Sequence, residues 1–406
     1  MTELARRLTT VDAVVIGLGS MLGAGVFVVF APAAAEAGGL GLLIALLIAG
    51  FVAFCNANSS ARLAARYPES GGTYVYGRER LGDFAGFLAG WGFVTGKTAS
   101  CAAMALTIGA YLWPAQARPV AVAAVVVLTT VNLGGIQKTA RATRWLVGVT
   151  LIVLGAVAVV GLAAGDPSGS RLWDDTGTSV RGVLTAAGLL FFAFAGYARV
   201  ATLGEEVREP ERTIPRAVPL ALGLVLAIYL TLALVTLSVL GPARLAGSVA
   251  PLADVAAAAG VPGLAWVVRA GAAVAVTGVL LALIAGVGRT TLAMARRRDL
   301  PGALAAVHPQ RQVPHRAELA VAVAVVVLVS LGDVRDAIGF SSCTVLVYYA
   351  VTNASALTLG GVPVIPALGL AGCLLLAFAL PLASVVAGFA VLAAGALWFM
   401  IRASFT

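Results

Sequence analysis

The chain has 406 residues, of which 60% are hydrophobic and only 11% are charged, and its mean hydropathy is +1.00. A soluble domain carries about 25% charged residues, so this composition excludes a soluble globular protein. The net charge of +9 does not indicate a nucleic-acid-binding face, because the basic residues lie in short segments between long apolar stretches.

Twelve apolar segments approach the length of about 20 helical residues that a bilayer core requires. The first follows a short polar N-terminus without a small-residue cleavage site, so we predict no cleavable signal. We expect an all-α polytopic membrane protein with twelve transmembrane helices in one domain, residues 1–406. The predicted spans are 13–35, 40–62, 84–112, 119–135, 145–164, 181–203, 217–240, 262–288, 317–331, 336–358, 364–380 and 382–401.

The basic residues predict the orientation. If the N-terminus is cytoplasmic, nineteen of the 27 Lys and Arg residues lie in cytoplasmic segments and five lie in external segments. Basic residues accumulate on the cytoplasmic side of membrane proteins. We therefore predict that both termini are cytoplasmic and, from the Ala-, Val- and Arg-rich composition, that the membrane is a bacterial cytoplasmic (inner) membrane.

Two segments between spans are expected to carry local structure, namely the polar, turn-rich segment 66–82, predicted to be cytoplasmic, and the segment 241–263. The segment 241–263, predicted to be external, is long enough for a short helix, and Pro215 is expected near the first turn of the seventh span. Four cysteines fall inside apolar segments without metal-ligand spacing, so we interpret them as buried apolar side chains. They are Cys55, Cys101, Cys343 and Cys373.

The first span reads VVIGLGSMLGAGVFVVF over residues 14–30. Its middle contains four glycines and one serine, at Gly17, Gly19, Ser20, Gly23 and Gly25. Glycine costs about 1 kcal/mol relative to alanine inside a helix. The pattern therefore indicates either an interrupted helix or close packing against another helix through small residues.

The sixth span has AGYA at the centre of LLFFAFAGYARVATLGEEV, residues 189–207. Interrupted segments five spans apart are typical of inverted-repeat transporters, so we favour interruption over packing. Residues 13–164 and 181–358 are then the two repeats, and residues 364–401 add two helices. An unwound helix exposes N–H donors and a positive dipole end, which favours binding of a carboxylate.

Four motifs resemble those of the amino acid–polyamine–organocation (APC) permeases. They are GLGSMLGAGVF in the first span, RYPESGGTYVYGRERLG after the second, FFAFAGYARVATLGEEVREPERTIPRAV in and after the sixth, and GRTTLAMARRRDLPGALAAVHP after the eighth. The resemblance implies a five-plus-five inverted-repeat (LeuT-like) fold with discontinuous helices 1 and 6. It also implies transport of amino acids or related amines by proton symport or exchange.

The resemblance implies a site as well. The substrate carboxylate is expected on the first-span interruption and the amino group on carbonyl groups of the first and sixth spans, with Phe192 or Phe194 as an aromatic gate. The implied substrate-binding residues are Ile16, Gly19, Ser20, Met21, Leu22, Gly23, Ala24, Gly25, Phe191, Phe192, Ala193, Phe194, Gly196 and Tyr197.

Lys97 is the most unusual residue of the third span. Lys97, Cys101 and Met104 share one helical face, which by the resemblance lines the substrate pocket. A lysine inside a span costs on the order of 3 kcal/mol, so it needs a cavity or a partner. Snorkelling is the alternative, but thirteen residues at about 1.5 Å each place it about 20 Å deep.

Proton-coupled relatives often carry a lysine in the fifth span, where the motif match places Thr150. We hypothesise that Lys97 is instead the proton-coupling residue, or that it fixes an anionic group of the substrate. No carboxylate lies in the middle of a span, since Asp12 and Glu36 lie at span ends and Glu205 and Glu206 at the end of the sixth. Buried charges need partners, so we predict neutral amino acids as substrates, with acidic ones as a second class, rather than cationic ones.

Other functions stay open at this point. An amino acid or amine exchanger, or a carrier of another small organic solute, would use the same fold. A channel needs a continuous polar pore, which these spans lack. The two histidines, His308 and His315, lie in a predicted loop and are interpreted as solvated, so we expect no enzyme, no metal site and no cofactor. The expected partners are a small-molecule substrate, protons and the lipid bilayer, and the sequence leaves the oligomeric state open.

Overall fold

The computed structural model describes residues 9–67, 71–135, 140–173, 178–201, 207 and 209–404. In these residues the regular structure is helical and no β-strand occurs. The α-helices are α1 (Thr10–Met21), α2 (Ala24–Val28), α3 (Phe30–Arg66), α4 (Thr73–Leu81), α5 (Asp83–Leu112), α6 (Ala117–Leu133), α7 (Ala140–Ala164), α8 (Val180–Phe194), α9 (Ala198–Ala201), α10 (Pro210–Gly247), α11 (Pro251–Ala258), α12 (Pro262–Arg296), α13 (His315–Leu331), α14 (Val334–Leu357), α15 (Val364–Ala379) and α16 (Leu382–Ala403). Short 3₁₀ helices cover Pro114–Gln116, Gly169–Leu172, Ala195–Tyr197 and Gly302–Ala305.

A helix occurs at each of the twelve predicted spans. Within the described residues, nine helical segments are long and apolar enough to cross a membrane: Thr10–Val28, Phe30–Arg66, Pro114–Leu133, Ala142–Ala164, Val180–Tyr197, Arg212–Gly247, Pro262–Arg296, Val334–Leu357 and Leu382–Arg402. Helix α15 is apolar but has 16 residues, and α13 has 17. Helix α5 has the length, but its glycines, hydroxyl side chains and Lys97 make it less apolar. The prediction of an all-helical, multi-pass membrane protein is confirmed, and the count of twelve spans stays a prediction.

Two long helices bend sharply at glycine. In α3 the chain turns at Gly38 (φ 67°), between the predicted first and second spans, and in α10 it turns at Gly241 (φ 73°). A bend leaves carbonyl groups without their helical partners. The guanidinium of Arg171 donates to two of these, the carbonyl oxygens of Ser238 (2.9 Å) and Val239 (2.8 Å). The loop between α7 and α8 therefore stabilises the bend in α10.

Small residues bring the central helices close together. Helix α3 packs against α8 and α10, α5 packs against α12 and α14, and α1 packs against α7 and α10. A Cβ added to Gly96 of α5 would lie 2.1 Å from Thr344 Oγ1 of α14, so only glycine fits there. The hydroxyls of Ser100 and Ser341 form a 2.6 Å hydrogen bond across the same pair of helices. Both contacts are of the kind that joins helices in a bilayer.

The local predictions have mixed outcomes. The helix expected within 241–263 is present as α11, and all four cysteines are buried. The placement of Pro215 in the first turn of the seventh span is wrong, because α10 begins at Pro210 and Pro215 lies inside the helix. Pro210 is the proline at the helix N-terminus. The expectation of two solvated loop histidines agrees with His308, which is partly exposed in a loop, but not with His315, which is the first residue of α13. The rings of His308 and His315 pack edge-on at 5.7 Å, and Nδ1 of His315 is buried.

Several residues used in the predictions lie outside the described residues. These are Glu205 and Glu206 at the end of the sixth span, and four of the nineteen basic residues assigned to cytoplasmic segments, Arg6, Arg7, Lys138 and Arg208.

Candidate functional site

The first interruption lies between α1 and α2. The N–H group of Leu22 still donates to the carbonyl of Leu18 (2.7 Å), and Gly23 then leaves the helical region (φ −92°, ψ −139°). The interruption expected over residues 19–25 is therefore confined to Leu22 and Gly23. The first-turn N–H groups of α2 have no acceptor within the helix, and no side chain caps them.

The second interruption lies at AGYA, between α8 and α9. Residues Ala195–Tyr197 form a 3₁₀ turn, and the backbone of Ala195 (φ −61°, ψ −3°) stays close to the helical region. A 3₁₀ stretch in the middle of a helix often marks a hinge. The departure from helical geometry is milder than the unwinding expected from the sequence.

The two interruptions touch each other. A Cβ added to Gly196 would lie 2.3 Å from the carbonyl oxygen of Ser20 and 2.9 Å from the backbone nitrogen of Met21. A Cβ added to Gly25 would lie 2.5 Å from Cα of Ala193. These distances are shorter than any real Cβ contact, so glycine at both positions is what lets the two backbones cross.

Tyr229 of α10 connects the two interrupted helices, and the sequence analysis did not identify it. Its buried hydroxyl donates to the carbonyl oxygens of Met21 (2.6 Å) and Ala193 (3.0 Å). Its ring packs edge-on against Phe194 at 5.1 Å and Phe30 at 6.3 Å. A buried tyrosine usually finds a hydrogen-bond partner, so the lone tyrosine in the aliphatic seventh span was the available signal.

The hydroxyl group of Ser20 in α1 is already paired inside the helix. The hydroxyl of Ser20 donates to the carbonyl oxygen of Ile16 at 2.9 Å. Serine within a helix commonly forms this bond to the residue four positions earlier. Ser20 and Ile16, which were expected to face a ligand, therefore satisfy each other in this conformation.

A small cavity adjoins the first interruption. Its volume is about 20 Å³, which holds one water molecule but not an amino acid. The lining residues come from α1, α7 and α12: Gly19, Leu22, Thr143, Leu146, Val147, Thr150, Ala275 and Val279. The Thr150 hydroxyl donates to the carbonyl oxygen of Leu146 at 2.8 Å. A neutral side chain that is paired within its own helix therefore occupies the position where proton-coupled relatives often carry a lysine. Binding of an amino acid here requires α1, α7 and α12 to move apart.

Lys97 is buried on α5, with only 8% of its surface exposed, and Cys101 (0%) and Met104 (8%) on the same face are buried too. This burial disfavours snorkelling, which would leave the amino group at the surface. Among the ion pairs that the described residues form, none includes Lys97. A buried lysine with no carboxylate partner among the described residues makes this position a candidate functional site.

A polar cluster lies behind the second interruption. Tyr197 packs on Tyr349 of α14 at 5.1 Å, and neither buried hydroxyl makes a hydrogen bond of good geometry within the described chain. Beside them, Asn353 accepts from Ser59 (2.6 Å) and donates to Oδ1 of Asn56 (2.7 Å), whose Nδ2 has no partner among described residues. Buried polar atoms are normally paired, so this cluster has spare hydrogen-bonding capacity.

The remaining predicted residues are mostly buried. Phe191 packs edge-on against Tyr349 at 5.8 Å, and of the two candidate gates Phe194 is fully buried while Phe192 is 8% exposed. Only the backbone of Ala24 is described. Arg199 is exposed on α9.

Glu318, which the sequence analysis also missed, is a buried carboxylate in the first turn of α13, packed against Gly288 of α12.

Two of the quoted loop motifs meet at Asp299, away from the interruptions. Its buried carboxylate accepts from the hydroxyl of Tyr74 (2.5 Å), from Nη1 of Arg78 (2.6 Å) and from Arg402. Its carbonyl oxygen accepts from Nε1 of Trp398 at 2.9 Å. Burial raises the pKa of Tyr74, and the hydrogen bond to Asp299 raises it further. The phenol therefore stays protonated and remains a hydrogen-bond donor. The cluster joins α4, the loop after α12 and the C-terminal helix α16.

Comparison with known proteins gives one family and several relatives. The amino acid permease family model matches residues 12–365. An uncharacterized transporter of Mycobacterium tuberculosis is 63% identical over 98% of this chain and 92% of its own length. The branched-chain amino acid permease BcaP of Bacillus subtilis is 27% identical over 92% of this chain and 88% of its own. The vacuolar cationic amino acid transporter 2 of Arabidopsis thaliana is 29% identical over 89% of this chain and 61% of its own.

Proposed function

The chain belongs to the amino acid permease family, and we propose that it is a secondary active transporter that carries amino acids across a bacterial cytoplasmic membrane by alternating access. It is a multi-pass membrane transporter and not an enzyme. The proposal includes twelve spans with both termini cytoplasmic. It also includes two inverted repeats, residues 13–164 and 181–358, followed by two additional helices.

The observation that carries this proposal is the contact between the two interruptions, where Gly196 lies against Ser20 and Tyr229 bonds to both helices. The N-terminus of α2 presents N–H groups and a positive dipole end beside this contact, which suits a substrate carboxylate. Separation of α1 from α8 would release at least one of the carbonyl oxygens of Met21 and Ala193 from Tyr229. A released oxygen could then accept from a substrate amino group.

We propose neutral amino acids as the substrate class, with acidic ones second. None of the candidate site residues is a carboxylate that could pair with a cationic side chain, whereas Lys97 is a buried cation. The relatives differ in this respect, since one is named for branched-chain and another for cationic amino acids. The proposal about the charge of the substrate therefore rests on the residues of the candidate site and not on the relatives. An exchanger, or a carrier of another small organic solute, is the alternative.

We propose that uptake is coupled to protons and that Lys97 is the proton-binding group. Lysine changes its protonation readily when it is buried, and Lys97 has no acidic partner in the described chain. Glu318 is a second buried titratable group, but it lies beside Gly288 rather than at the interruptions. Fixation of an anionic substrate group is the other role open to Lys97.

A thermal-shift screen of the purified protein against the twenty amino acids and common amines tests the substrate class. A ligand that binds the folded state raises the melting temperature by mass action. We expect shifts with neutral amino acids. Shifts with arginine, lysine or polyamines alone would contradict the charge argument, and no shift with any amino acid would contradict amino acid transport. Counterflow in liposomes, with and without a pH gradient, then separates symport from exchange.

A further inference from the structure

A second cavity opens where the C-terminal end of α3 meets the first turns of α10, and we call it the α3–α10 groove. Its volume is about 400 Å³, which is within the range of ligand sites. Its lining is Phe54, Asn58, Ala61, Arg62, Ala65 and Arg66 of α3, Pro215, Val218 and Pro219 of α10, and Leu359. None of these residues belongs to the interrupted helices, so the groove is separate from the candidate transport site.

The groove runs from the apolar surface of the protein to the end of a membrane-spanning helix. Leu47, Phe51 and Phe54 form an exposed stripe on one face of α3, at 50%, 52% and 37% exposure. In a multi-pass membrane protein such a stripe faces lipid. Phe54 and Arg66 are twelve residues apart, or about 18 Å along the helix. The groove therefore extends from the hydrocarbon region to the boundary with water.

Its outer end is basic. Nη2 of Arg62 donates to the carbonyl oxygen of Gly360 at 2.7 Å, which holds the guanidinium in place while leaving it further N–H donors. Arg66 is exposed and makes no hydrogen bond or ion pair within the described chain. The exposed Arg216 follows Pro215 on α10, and no acidic residue is among the lining residues that the structure describes.

We propose that the α3–α10 groove binds one anionic phospholipid. Its acyl chain lies on Phe54, Val218 and Pro219, and its phosphate lies between Arg62 and Arg66. Arginine matches phosphate through paired, charge-assisted hydrogen bonds, and basic pockets between membrane helices bind anionic headgroups. A soluble anion would use the arginines but not the apolar floor, whereas a phospholipid uses both.

The bound lipid would join α3 to α10, the helix that carries Tyr229. Stabilisation by the lipid then acts on the element that connects the two interruptions, without any contact between the lipid and the transported substrate. The inference is independent of the proposed substrate, because it rests on the membrane location and the lining of the groove.

Native mass spectrometry of the full chain tests the proposal. The detergent-solubilised protein is mixed with equal amounts of phosphatidylglycerol and phosphatidylcholine, and the adducts are counted. We expect one preferentially retained phosphatidylglycerol and a higher melting temperature with that lipid. Arg66→Gln, and the double variant with Arg62→Gln, should lower phosphatidylglycerol occupancy, by about tenfold for the double variant. Ala65→Trp, which fills the groove but keeps both arginines, should lower it too.

The matched control removes two arginines elsewhere, Arg118→Gln with Arg335→Gln, and should retain the adduct. Arg66 makes no hydrogen bond or ion pair in the described chain, so Arg66→Gln should fold normally. This single variant therefore still tests the proposal if the double variant folds poorly. Equal retention of both lipids by the unmodified protein would overturn the proposal, and so would undiminished preference in the Arg66 variant. A melting shift produced by inorganic phosphate alone would also overturn it, because a free anion would then be the ligand.

Discussion

The phenolic hydroxyl of Tyr229 donates a hydrogen bond to the carbonyl oxygen of Met21, 2.6 Å away. The same hydroxyl reaches the carbonyl oxygen of Ala193 at 3.0 Å, so one donor from α10 is shared between the two interrupted helices. Any movement that separates α1 from α8 must break at least one of these bonds. Tyr229 is therefore a positioning residue that sets the spacing of the two interruptions.

Tyr229→Phe should lower both stability and transport. The change removes the hydroxyl donor from the carbonyl oxygens of Met21 and Ala193, which costs about 1–3 kcal/mol. We expect a lower melting temperature and slower amino acid uptake in proteoliposomes. Thr231→Val is the matched control on the same helix, because Thr231 is exposed and its hydroxyl bonds only to Ala227 of its own helix (2.9 Å). Equal uptake and melting in Tyr229→Phe and the unmodified protein would contradict the positioning role.

Gly196→Ala should abolish or strongly reduce transport. The added methyl group would lie 2.3 Å from the carbonyl oxygen of Ser20, so one of the two backbones has to shift. Gly155→Ala is the control, since a Cβ at Gly155 in α7 meets nothing within 4 Å. Alanine there improves the helix propensity by about 1 kcal/mol. The expected result is full uptake with Gly155→Ala and little with Gly196→Ala, and similar uptake by both would show that the contact is not needed.

Lys97→Gln should remove the pH dependence of uptake. If Lys97 carries the coupled proton, the neutral variant can exchange substrate across the membrane but cannot accumulate it against a gradient. Uptake driven by a pH gradient and counterflow without a gradient distinguish these activities. Glu318→Gln tests another buried carboxyl group in parallel. Normal gradient-driven uptake by Lys97→Gln would show that Lys97 is not the proton-coupling residue. Loss of gradient-driven uptake in Glu318→Gln alone would assign that role to Glu318 of α13.

Asp299→Asn should destabilise the fold more than loss of an exposed ion pair. The carboxylate is fully buried between Arg78 and Arg402, and breaking a buried charge pair costs about 3 kcal/mol. Arg212→Ala is the control, because its pair with Glu209 leaves the two side chains 76% and 70% exposed. Such exposed pairs contribute little. The melting temperature should fall with Asp299→Asn and hold with Arg212→Ala, and an unchanged melting temperature in both would refute the role of the cluster.

The sequence predicted those features of the fold that depend on local backbone conformation. Glycines 23 and 196 predicted where the two helices depart from regular geometry, and at position 196 glycine is needed because the backbone of Ser20 lies so close. The extent was overestimated at Gly19 and Ser20, since α1 stays helical up to Met21 and the Ser20 hydroxyl bonds to Ile16 within the helix. Local pattern alone could not predict this, because a helical serine and a ligand-binding serine look the same in sequence.

Long-range partners were beyond the sequence. The bonds of Tyr229 join residues 208 and 36 positions apart, and the bond from Arg78 to Asp299 joins residues 221 positions apart. Four of these five residues lie in quoted motifs, and only Tyr229 does not, but nothing in their spacing predicts that they meet. The burial of Glu318 likewise depends on Gly288 of another helix.

The most direct test of the central claim is uptake by proteoliposomes that contain the purified protein, with a panel of radiolabelled amino acids and an imposed pH gradient. The account predicts saturable accumulation of at least one neutral amino acid that depends on the gradient, is lost in Gly196→Ala and is kept in Gly155→Ala. Accumulation confined to arginine, lysine or polyamines, or uptake unaffected by Gly196→Ala, would contradict it.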